Sequence, residues 1–219
     1  MIRRRELKEL IEEGENLSCE FKLKFSEPEK IAKEIIAFAN TLGGYILFGV
    51  EDKGKIVGVQ SEKGEEELIR IALRDYITPE IVCEIYAINF DHKEIVVVEI
   101  PESKNKPHRI QDYKETLDLH TAQVYVRVND KSIPAGKEMI RVLRSVASEK
   151  PLEKYVIGSI EKQVFTYLEK NETINAEQLK NMANISKRRA SRALVNLVRA
   201  KMLFIHTKDN GEEFFTSAV

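Results

Sequence analysis

The sequence predicts an α+β protein of two domains, a mixed-sheet domain over residues 1–150 and a small helical domain over residues 152–219. Two observations predict this class. Residues 17–50 indicate strand, helix and strand in succession, because apolar–polar alternation gives way to helical spacing and then to a short apolar run. The end of the chain instead combines three helical segments with Asn210-Gly211, the strongest two-residue hairpin signal.

The composition is that of a folded protein without a membrane-spanning segment. Of the 219 residues, 42% are hydrophobic, and no apolar run approaches the ~20 residues that a membrane helix needs. The formal net charge is −1, so affinity for nucleic acid must come from local patches. Cys19 and Cys83 have no metal-ligand spacing, which indicates reduced, structural thiols. We expect a cytoplasmic protein with no membrane partner.

The sheet of the first domain is predicted to begin with a strand over Leu17–Phe25. Its residues alternate strictly, which predicts one core face and one charged face. Ser26 is the predicted cap of the helix that follows, with Pro28 at its first position. Gly43-Gly44 then ends the helix and turns the chain into a buried strand over Tyr45–Val50.

The remaining elements of this domain follow the same two periodicities. Helices are predicted over Ile2–Glu13, Gly64–Ile77 and Ala135–Ser148. Strands are predicted over Ile56–Val59, Ile81–Phe90, Glu94–Ile100 and Gln123–Asn129. The polar segment Pro101–Lys114, before the last of these strands, has the form of a long functional loop.

Several motifs of this domain stand in the order and spacing of a known family. They are Glu15, Glu20-Phe21-Lys22, the run from Ala37 to Gly44, Gly49-Val50-Glu51-Asp52 and Gly58. In these motifs the domain resembles the Schlafen-type AlbA-like family, which is also described as a divergent AAA-type ATP-binding or DNA-binding domain. The resemblance implies fusion to a winged helix and a role in transcriptional regulation. It also implies a link to vertebrate Schlafen relatives that include metal-dependent RNA-cleaving enzymes.

Three acidic residues are the candidate catalytic and metal-binding residues. By resemblance, Glu15, Glu20 and Asp52 match the carboxylates with which the nuclease branch of the family holds a divalent ion, and Glu51 could replace Asp52 in this match. Grouped carboxylates can bind Mg²⁺ or Mn²⁺, which polarises a phosphodiester and lowers the pKa of an attacking water. If the chain is a nuclease acting on RNA or DNA, these three carboxylates must converge so that one cation can take oxygens from all of them. Otherwise Glu20 pairs with lysines such as Lys22 on an exposed sheet face.

Basic residues of the first domain are candidate contacts to a phosphate backbone. Lys-Pro-His at 106–108, followed by a strand, resembles the closing pattern of the family, which predicts that the Pro101–Lys114 loop lies beside the site. The alternative interpretation is a solvated connection. The candidate residues are Lys22, Lys104, Lys106, His108, Arg109 and Arg127.

An ATP site is a third interpretation, and the order of elements argues against it. Gly43-Gly44 and Gly49 follow a helix, whereas a phosphate-binding loop follows a strand and precedes a helix. No Gly-x-x-x-x-Gly-Lys-[Ser/Thr] motif occurs in the chain. We expect glycines that serve a tight turn and no cofactor, with Mg²⁺ or Mn²⁺ required only if the chain is a nuclease.

The charged, Pro-broken segment Glu149-Lys150-Pro151 is the predicted link to the second domain. After it, helices and strands are predicted over Tyr155–Lys170, Asn175–Ala183, Ser186–Lys201, Leu203–Thr207 and Glu213–Thr216. Asn175 and Ser186 are predicted side-chain caps. Three helices and a hairpin predict a winged helix-turn-helix, similar to those of many bacterial and archaeal regulators.

The third helix of this domain is basic on one face and contains no acidic residue. The candidate contact residues are Lys187, Arg188, Arg189, Arg192, Asn196 and Arg199, with Val195 on the same exposed stripe. Guanidinium groups can bind phosphates or read guanine, and Asn can read adenine, so the helix has what a recognition helix needs. The alternative is a solvated basic face on a protein–protein module.

The preferred interpretation is a DNA-binding transcriptional regulator, with RNA as the second candidate partner. Regulators of this build usually pair, because two half-sites multiply affinity and specificity. We therefore expect a homo-oligomer, most simply a dimer. A metal-dependent nuclease is the alternative function.

Overall fold

The computed structural model describes residues 1–147 and 156–218. The chain divides into two compact units, Met1–Pro134 and Ala135–Val219. The first unit is a mixed sheet with helices, and the second is helical and ends in a β-hairpin, so the predicted α+β class is confirmed. Among the described helices, none has the length and apolar character required to cross a membrane.

The first unit alternates helices and strands along the chain. In order, its elements are α1 (Arg4–Glu13), β1 (Cys19–Lys22), α2 (Pro28–Asn40), β2 (Gly43–Phe48), α3 (Glu62–Tyr76), β3 (Ile77–Thr78), β4 (Glu84–Phe90), β5 (Lys93–Pro101), β6 (Arg109–Ile110), β7 (Tyr125–Val128) and β8 (Lys131–Pro134). The central sheet has the strand order β1-β2-β5-β4, in which β1 and β2 are parallel and the other neighbours are antiparallel. Two further pairs, β3 with β6 and β7 with β8, are antiparallel.

Both faces of the central sheet are covered, and this overturns the predicted division of the first strand. Residues of α2 and α3 pack on one face and residues of α1 pack on the other. Glu20, predicted to lie on the charged face, is therefore buried, whereas Leu23, predicted to lie on the core face, follows the short strand and is exposed. Period-two alternation identifies one buried face only where the other face meets water.

Local signals around α2 are partly confirmed. The helix begins at Pro28 as predicted, but its cap residue is Glu27 rather than Ser26, and no side chain bonds there. Gly43 and Gly44 form the predicted tight turn, with φ of +74° and +153°. A Cβ on these residues would lie 2.5 Å from the Ile100 carbonyl oxygen and 2.4 Å from the Ser18 carbonyl oxygen, respectively, so only glycine fits.

Two strand predictions differ from the structure. Ile56–Val59 is not a strand, and only Ile56 forms an isolated bridge, to Val50. The strand predicted over Gln123–Asn129 is the shorter β7, and it pairs with β8, which the sequence did not predict. The signal for β8 was Asn129, which turns the chain at a positive φ of 55°.

The end of α2 is buried, and residues far along the chain pair with its polar groups. Asn40 Nδ2 donates to the carbonyls of His108 at 2.9 Å and Tyr125 at 3.0 Å, and Asn40 Oδ1 accepts from the His108 N–H at 2.8 Å. The Ser103 N–H donates to the Ala39 carbonyl at 2.9 Å. Asn40 therefore fixes the segment before β6 and the strand β7 to one helix end.

The second unit has the elements of a winged helix. In order they are α4 (Lys137–Ala147), α5 (Ser159–Leu168), α6 (Ala176–Ala183), α7 (Lys187–Arg199), β9 (Leu203–Thr207) and β10 (Glu213–Ser217). The Asn175 and Ser186 caps are confirmed by hydrogen bonds from the Gln178 and Arg189 N–H groups. The core is built from α5, α6, α7 and the hairpin, and Ile174 bridges to β10.

Helix α4 belongs to the second unit, whereas the predicted boundary placed it in the first. Ile140 and Leu143 of α4 are buried, α4 packs on α7, and Arg141 Nη1 donates to Ser191 Oγ of α7 at 2.6 Å. The predicted link Glu149-Lys150-Pro151 lies outside the described residues. In the sequence, the boundary between the two compact units lies between Pro134 and Ala135.

Replacing Asn40 with Ala should lower the free energy of unfolding by about 2–4 kcal/mol, because the His108 N–H and two carbonyls lose a buried partner. Urea unfolding followed by tyrosine fluorescence measures this loss. Asn105→Ala is the control, since its side chain is exposed and has no hydrogen bond among the described residues. Equal losses in the two variants would contradict the assigned role of Asn40.

Candidate nucleic-acid interface

Helix α7 directs one face into the core of the second unit and leaves another open. Ser186 caps its start, with its Oγ accepting from the Arg189 N–H. Ala190, Leu194 and Leu197 are fully buried and pack against the neighbouring helices and the hairpin. The helical period then places the basic residues on the opposite side.

The exposed basic side chains of α7 are largely without acidic partners. Lys187 lies 3.7 Å from Glu177. Arg188, Arg189 and Arg192 are exposed, and none of these three side chains makes a hydrogen bond or ion pair with a described residue. Three unneutralised guanidinium groups on one helical face form a strongly positive surface suited to an anionic partner.

The contact stripe is narrower than predicted. Val195, predicted to be exposed with the arginines, is only 6% exposed, because α4 packs against this side of α7. Asn196 and Arg199 are half-buried. The exposed arc is therefore the first two turns of α7, which is the part that carries the three unpaired arginines.

A groove of about 280 Å³ runs beside these residues. Arg189, Arg192 and Asn196 line one wall, and residues 158–161 at the start of α5 line the other. The groove brings two guanidinium groups and one amide to a common opening. These groups can donate to phosphate oxygens or to base edges.

The basic residues of the first unit are arranged differently, around a buried Arg127. Its side chain is fully buried. Its Nη1 donates to Glu20 Oε2 at 2.9 Å and to Glu34 Oε2 at 3.2 Å, and Nη2 donates to the Asn16 carbonyl at 2.7 Å. The guanidinium also lies 4.4 Å from the ring centroid of Phe38. Arg127 thus connects β7 with β1 and α2, and its burial does not fit a direct contact with nucleic acid.

Three of the loop candidates are also buried in structural roles. Lys106 Nζ donates to the Thr41 carbonyl at 2.8 Å and to Glu102 Oε1 at 2.7 Å. His108 is 1% exposed, and burial lowers the pKa of its ring. Arg109 Nη2 donates to the Lys114 carbonyl at 2.8 Å. These side chains do not fit the predicted phosphate contacts, and among the loop candidates only Lys104 is exposed.

The candidate metal ligands lie near one another but are not arranged around a common point. Burial raises the pKa of Glu15, and the charges of Glu20 and Asp52 add to the rise. Both oxygens of Glu20 are engaged, one by the half-buried Lys22 and the other by Arg127. In the described part of the chain, no three His, Cys, Asp or Glu side chains are grouped closely enough to hold a metal ion. The residues as arranged do not fit a cation held by three carboxylates.

The sequence analysis did not single out Glu34 and Ser132, two residues that contact Arg127. Glu34 of α2 accepts from both Arg127 and the Ser132 hydroxyl. Burial raises the pKa of Glu34, and the charge of Glu20 adds to the rise. The signal for Glu34 was its position between Ile31 and Phe38, close to the apolar face of α2, where a carboxylate needs a cation.

A pair of carboxyl groups joins the hairpin of the second unit to α4. Glu213 of β10 accepts from the N–H groups of Glu138 at 3.2 Å and Met139 at 3.0 Å. Burial raises the pKa of Glu213 to about 8, and the hydrogen bond that it shares with the Glu138 carboxyl adds to the rise. Ser191 of α7 also bonds to the Glu138 carboxyl. The hairpin, α4 and α7 therefore meet at one pair of adjacent carboxyl groups.

Comparison with known proteins gives a family match over the first unit. The family model described as Schlafen, AlbA_2 matches residues 15–136. The uncharacterized ATP-binding protein UU034 of Ureaplasma parvum serovar 3 is 33% identical over 87 residues, which are 37% of this chain and 24% of that protein. The chain therefore matches only about a quarter of that protein's length.

Two solved structures show partial similarity. The DIP2311 protein from Corynebacterium diphtheriae is similar over 92% of this chain and 34% of its own, with a TM-score of 0.47 and 16% identity. The N-terminal domain of a RecG-related protein from Nitrosomonas europaea is similar over 51% of this chain and 82% of its own, with a TM-score of 0.41 and 26% identity.

Replacing Arg127 with Met should lower the free energy of unfolding by about 3–5 kcal/mol at pH 7, because Glu34 loses its cation and Glu20 keeps only Lys22. The loss should shrink in acid, because burial raises the pKa of Glu34 and this carboxyl binds a proton as the pH falls. Urea unfolding at pH 7 and pH 5 measures it. Lys24→Met removes the same charge from an exposed position, and a similar loss there would contradict the buried-network account.

The stability of the second unit should fall as pH rises from about 4.5 to about 8. In this range folded Glu213 keeps a proton that the unfolded chain releases, so stability present below the ordinary pKa of 4.5 is lost as pH rises through about 8. Glu213→Gln should flatten this dependence. Hydrogen exchange of α7 amides in the full chain measures it, with the exposed Glu212→Gln as control. An unchanged slope in Glu213→Gln would exclude Glu213 as its source.

Proposed function

The chain belongs to the Schlafen AlbA_2 family, and from this premise we propose that it is a DNA-binding regulator whose second unit docks on duplex DNA through α7. The first unit is then the family domain, and the second is the winged helix that contacts the nucleic acid. In this mode the exposed start of α7 enters the major groove, as recognition helices do. RNA is the second candidate partner.

The observation that supports this proposal is the unneutralised charge of Arg188, Arg189 and Arg192. Several exposed arginines elsewhere have acidic partners, such as Arg70 with Glu66 at 2.6 Å and Arg74 with Asp75 at 2.7 Å. The chain contains 36 acidic and 35 basic residues, so partners for α7 are not scarce. Concentrating unpaired guanidinium groups on one helical face costs repulsion, which a polyanion would relieve.

The groove beside α7 suggests that the residues contacting DNA fall into two groups. Arg188 and Arg192 lie one turn apart on the exposed stripe, whereas Arg189, Arg192 and Asn196 line the groove beside the start of α5. Guanidinium groups serve both phosphates and guanine, and the Asn196 amide can read adenine. At the hairpin tip, Lys208 pairs with Glu212 at 2.9 Å, so the hairpin adds little positive charge.

ATP does not enter the proposal, although a relative is named as an ATP-binding protein. The match covers 24% of that protein, and the rest of its length has no counterpart in the alignment. The double-glycine turn of this chain is accounted for by close backbone packing against Ile100 and Ser18. Its glycines also follow a helix rather than precede one.

Cleavage of nucleic acid is the second candidate function, and the mutual influence of Glu15, Glu20 and Asp52 favours it. Glu20 would first have to exchange Lys22 and Arg127 for another cation. The exposed Asp52 offers a variant that leaves the buried network intact. Because Glu20 is already bonded to Lys22 and Arg127, binding without cleavage is the preferred function.

Replacing Arg188 and Arg192 with Ala should weaken duplex DNA binding and reduce its salt dependence by about one unit of slope for each lost phosphate contact. If one of the two reads a base, its loss should cost about 1–3 kcal/mol at a single sequence position. Fluorescence anisotropy between low and physiological salt measures both effects.

The charge-matched control is Lys63→Ala with Lys170→Ala, two exposed residues outside α7. This control should bind DNA almost as tightly as the parent. If the arginine variant binds as tightly as the control, α7 is not the contact surface.

Structured RNA, single-stranded DNA and duplex DNA should stay intact when incubated with the protein and Mn²⁺ or Mg²⁺, because Glu20 is already occupied by two cations. Denaturing gels measure cleavage, and native gels measure binding. The control for a genuine activity is Asp52→Asn. Cleavage that chelator and Asp52→Asn both abolish would replace the binding proposal by the nuclease.

A further inference from the structure

Strand β4 stands at the edge of the central sheet with one side unpaired. Among the described strands, β4 pairs only with β5. Asp91 and His92, with positive φ of 50° and 65°, form a two-residue turn that pairs Phe90 with Lys93. The pair that closes such a turn is hydrogen-bonded, so every second residue from Asn89 backwards directs its N–H and C=O away from β5. These outward residues are Ile85, Ala87 and Asn89.

Strand β4 lacks lysine, proline and a bulge, three features that often protect an edge. No described residue donates to or accepts from the backbone of Ile85, Ala87 or Asn89 across this side. The strand contains no lysine or proline, and its pairing with β5 runs without a bulge over seven residues. A seven-residue, unbulged and mostly apolar edge is a template for another strand.

We propose that β4 is a self-association edge, at which two copies of the chain join antiparallel about a twofold axis at Ala87. In this register Ala87 faces Ala87, and Ile85 faces Asn89 of the second copy. The three outward residues then form hydrogen-bonded pairs, with about six new N–H···O bonds. Registers centred on Tyr86 or Ile88 pair fewer of the seven strand residues.

The side chains of β4 complement themselves in this register. On the face toward α1, Tyr86 stands opposite Ile88 of the second copy, an aromatic and β-branched pair that favours strand association. Glu84 stands opposite Phe90, whose ring centroid lies 4.6 Å from the Arg4 guanidinium carbon. Within each copy Glu84 pairs with the N-terminal amine and Arg4 pairs with Asp91, so both charges are balanced and no like charges stand directly opposite each other. This self-complementarity identifies the occupant as a second copy.

Association at β4 would create one continuous sheet of eight strands from two sheets of four. It involves the first unit alone and does not depend on DNA. Failure of α7 to bind DNA would therefore leave this proposal standing. Equally, a monomeric protein that binds DNA would contradict only the proposal for β4.

The experiment is sedimentation velocity of the full chain over concentrations up to about 100 µM, at which a dimer with a Kd near 1 µM is almost fully formed. The parent protein should sediment as a dimer at the upper end. Ala87→Pro should be monomeric, because it removes an outward N–H without touching the pairing of β4 with β5. Ala87→Thr keeps that N–H and should remain dimeric.

Hydrogen exchange gives a second readout on the parent protein. The amides of Ile85, Ala87 and Asn89 should become protected as the dimer forms. If circular dichroism shows that Ala87→Pro does not fold, Ala87→Lys replaces it, since two lysines would then face each other at the axis. A monomer at every concentration, or a dimer that persists in the folded Ala87 variant, would overturn the proposal.

Discussion

The buried carboxyl end of α2 is the constraint on which the first unit depends. The last carbonyls of any helix lack partners within the helix and must find donors elsewhere when water is excluded. Here the Ser103 N–H reaches the Ala39 carbonyl, and Lys106 Nζ reaches the Thr41 carbonyl. Thr41 Oγ1 in turn accepts from the Arg127 N–H at 2.9 Å. The long polar loop and β7 are thereby held by one helix end, where a cation also suits the helix dipole.

The same side-chain chemistry serves opposite purposes in the two units, and the partners decide which. Arg127 is buried beside Glu20 and Glu34, so its charge is used to hold strands and a helix together. Arg188 and Arg192 are exposed and pair with none of the residues that the structure describes, so their charge is available to another molecule. A buried ion pair adds little net stability but is costly to break. The charges of Arg127, Glu20 and Glu34 therefore hold the first unit together, whereas those of Arg188 and Arg192 lie on the surface of the second unit.

Features encoded by neighbouring residues were predictable, and features encoded by distant partners were not. The Asn175 and Ser186 caps and the β4–β5 hairpin follow from local sequence, and the structure contains them. By contrast, Glu20 and Arg127 meet across 107 residues of sequence, so no local pattern shows that both are buried. The burial of Lys106 likewise could not be predicted from its loop, because its partner is the distant Thr41 carbonyl at the end of α2.

The contacts of α4 determine which residues a domain must include if it is to fold after transfer to another protein. A helix that precedes the winged core by sequence contributes Arg141 to Ser191, and its first turn receives Glu213. A recombination event or a truncation at residue 150 would leave both groups without their partners. A domain that is exchanged intact between proteins would then begin at Ala135, and a fusion at this junction would keep the contacts of α4 with α7 and the hairpin.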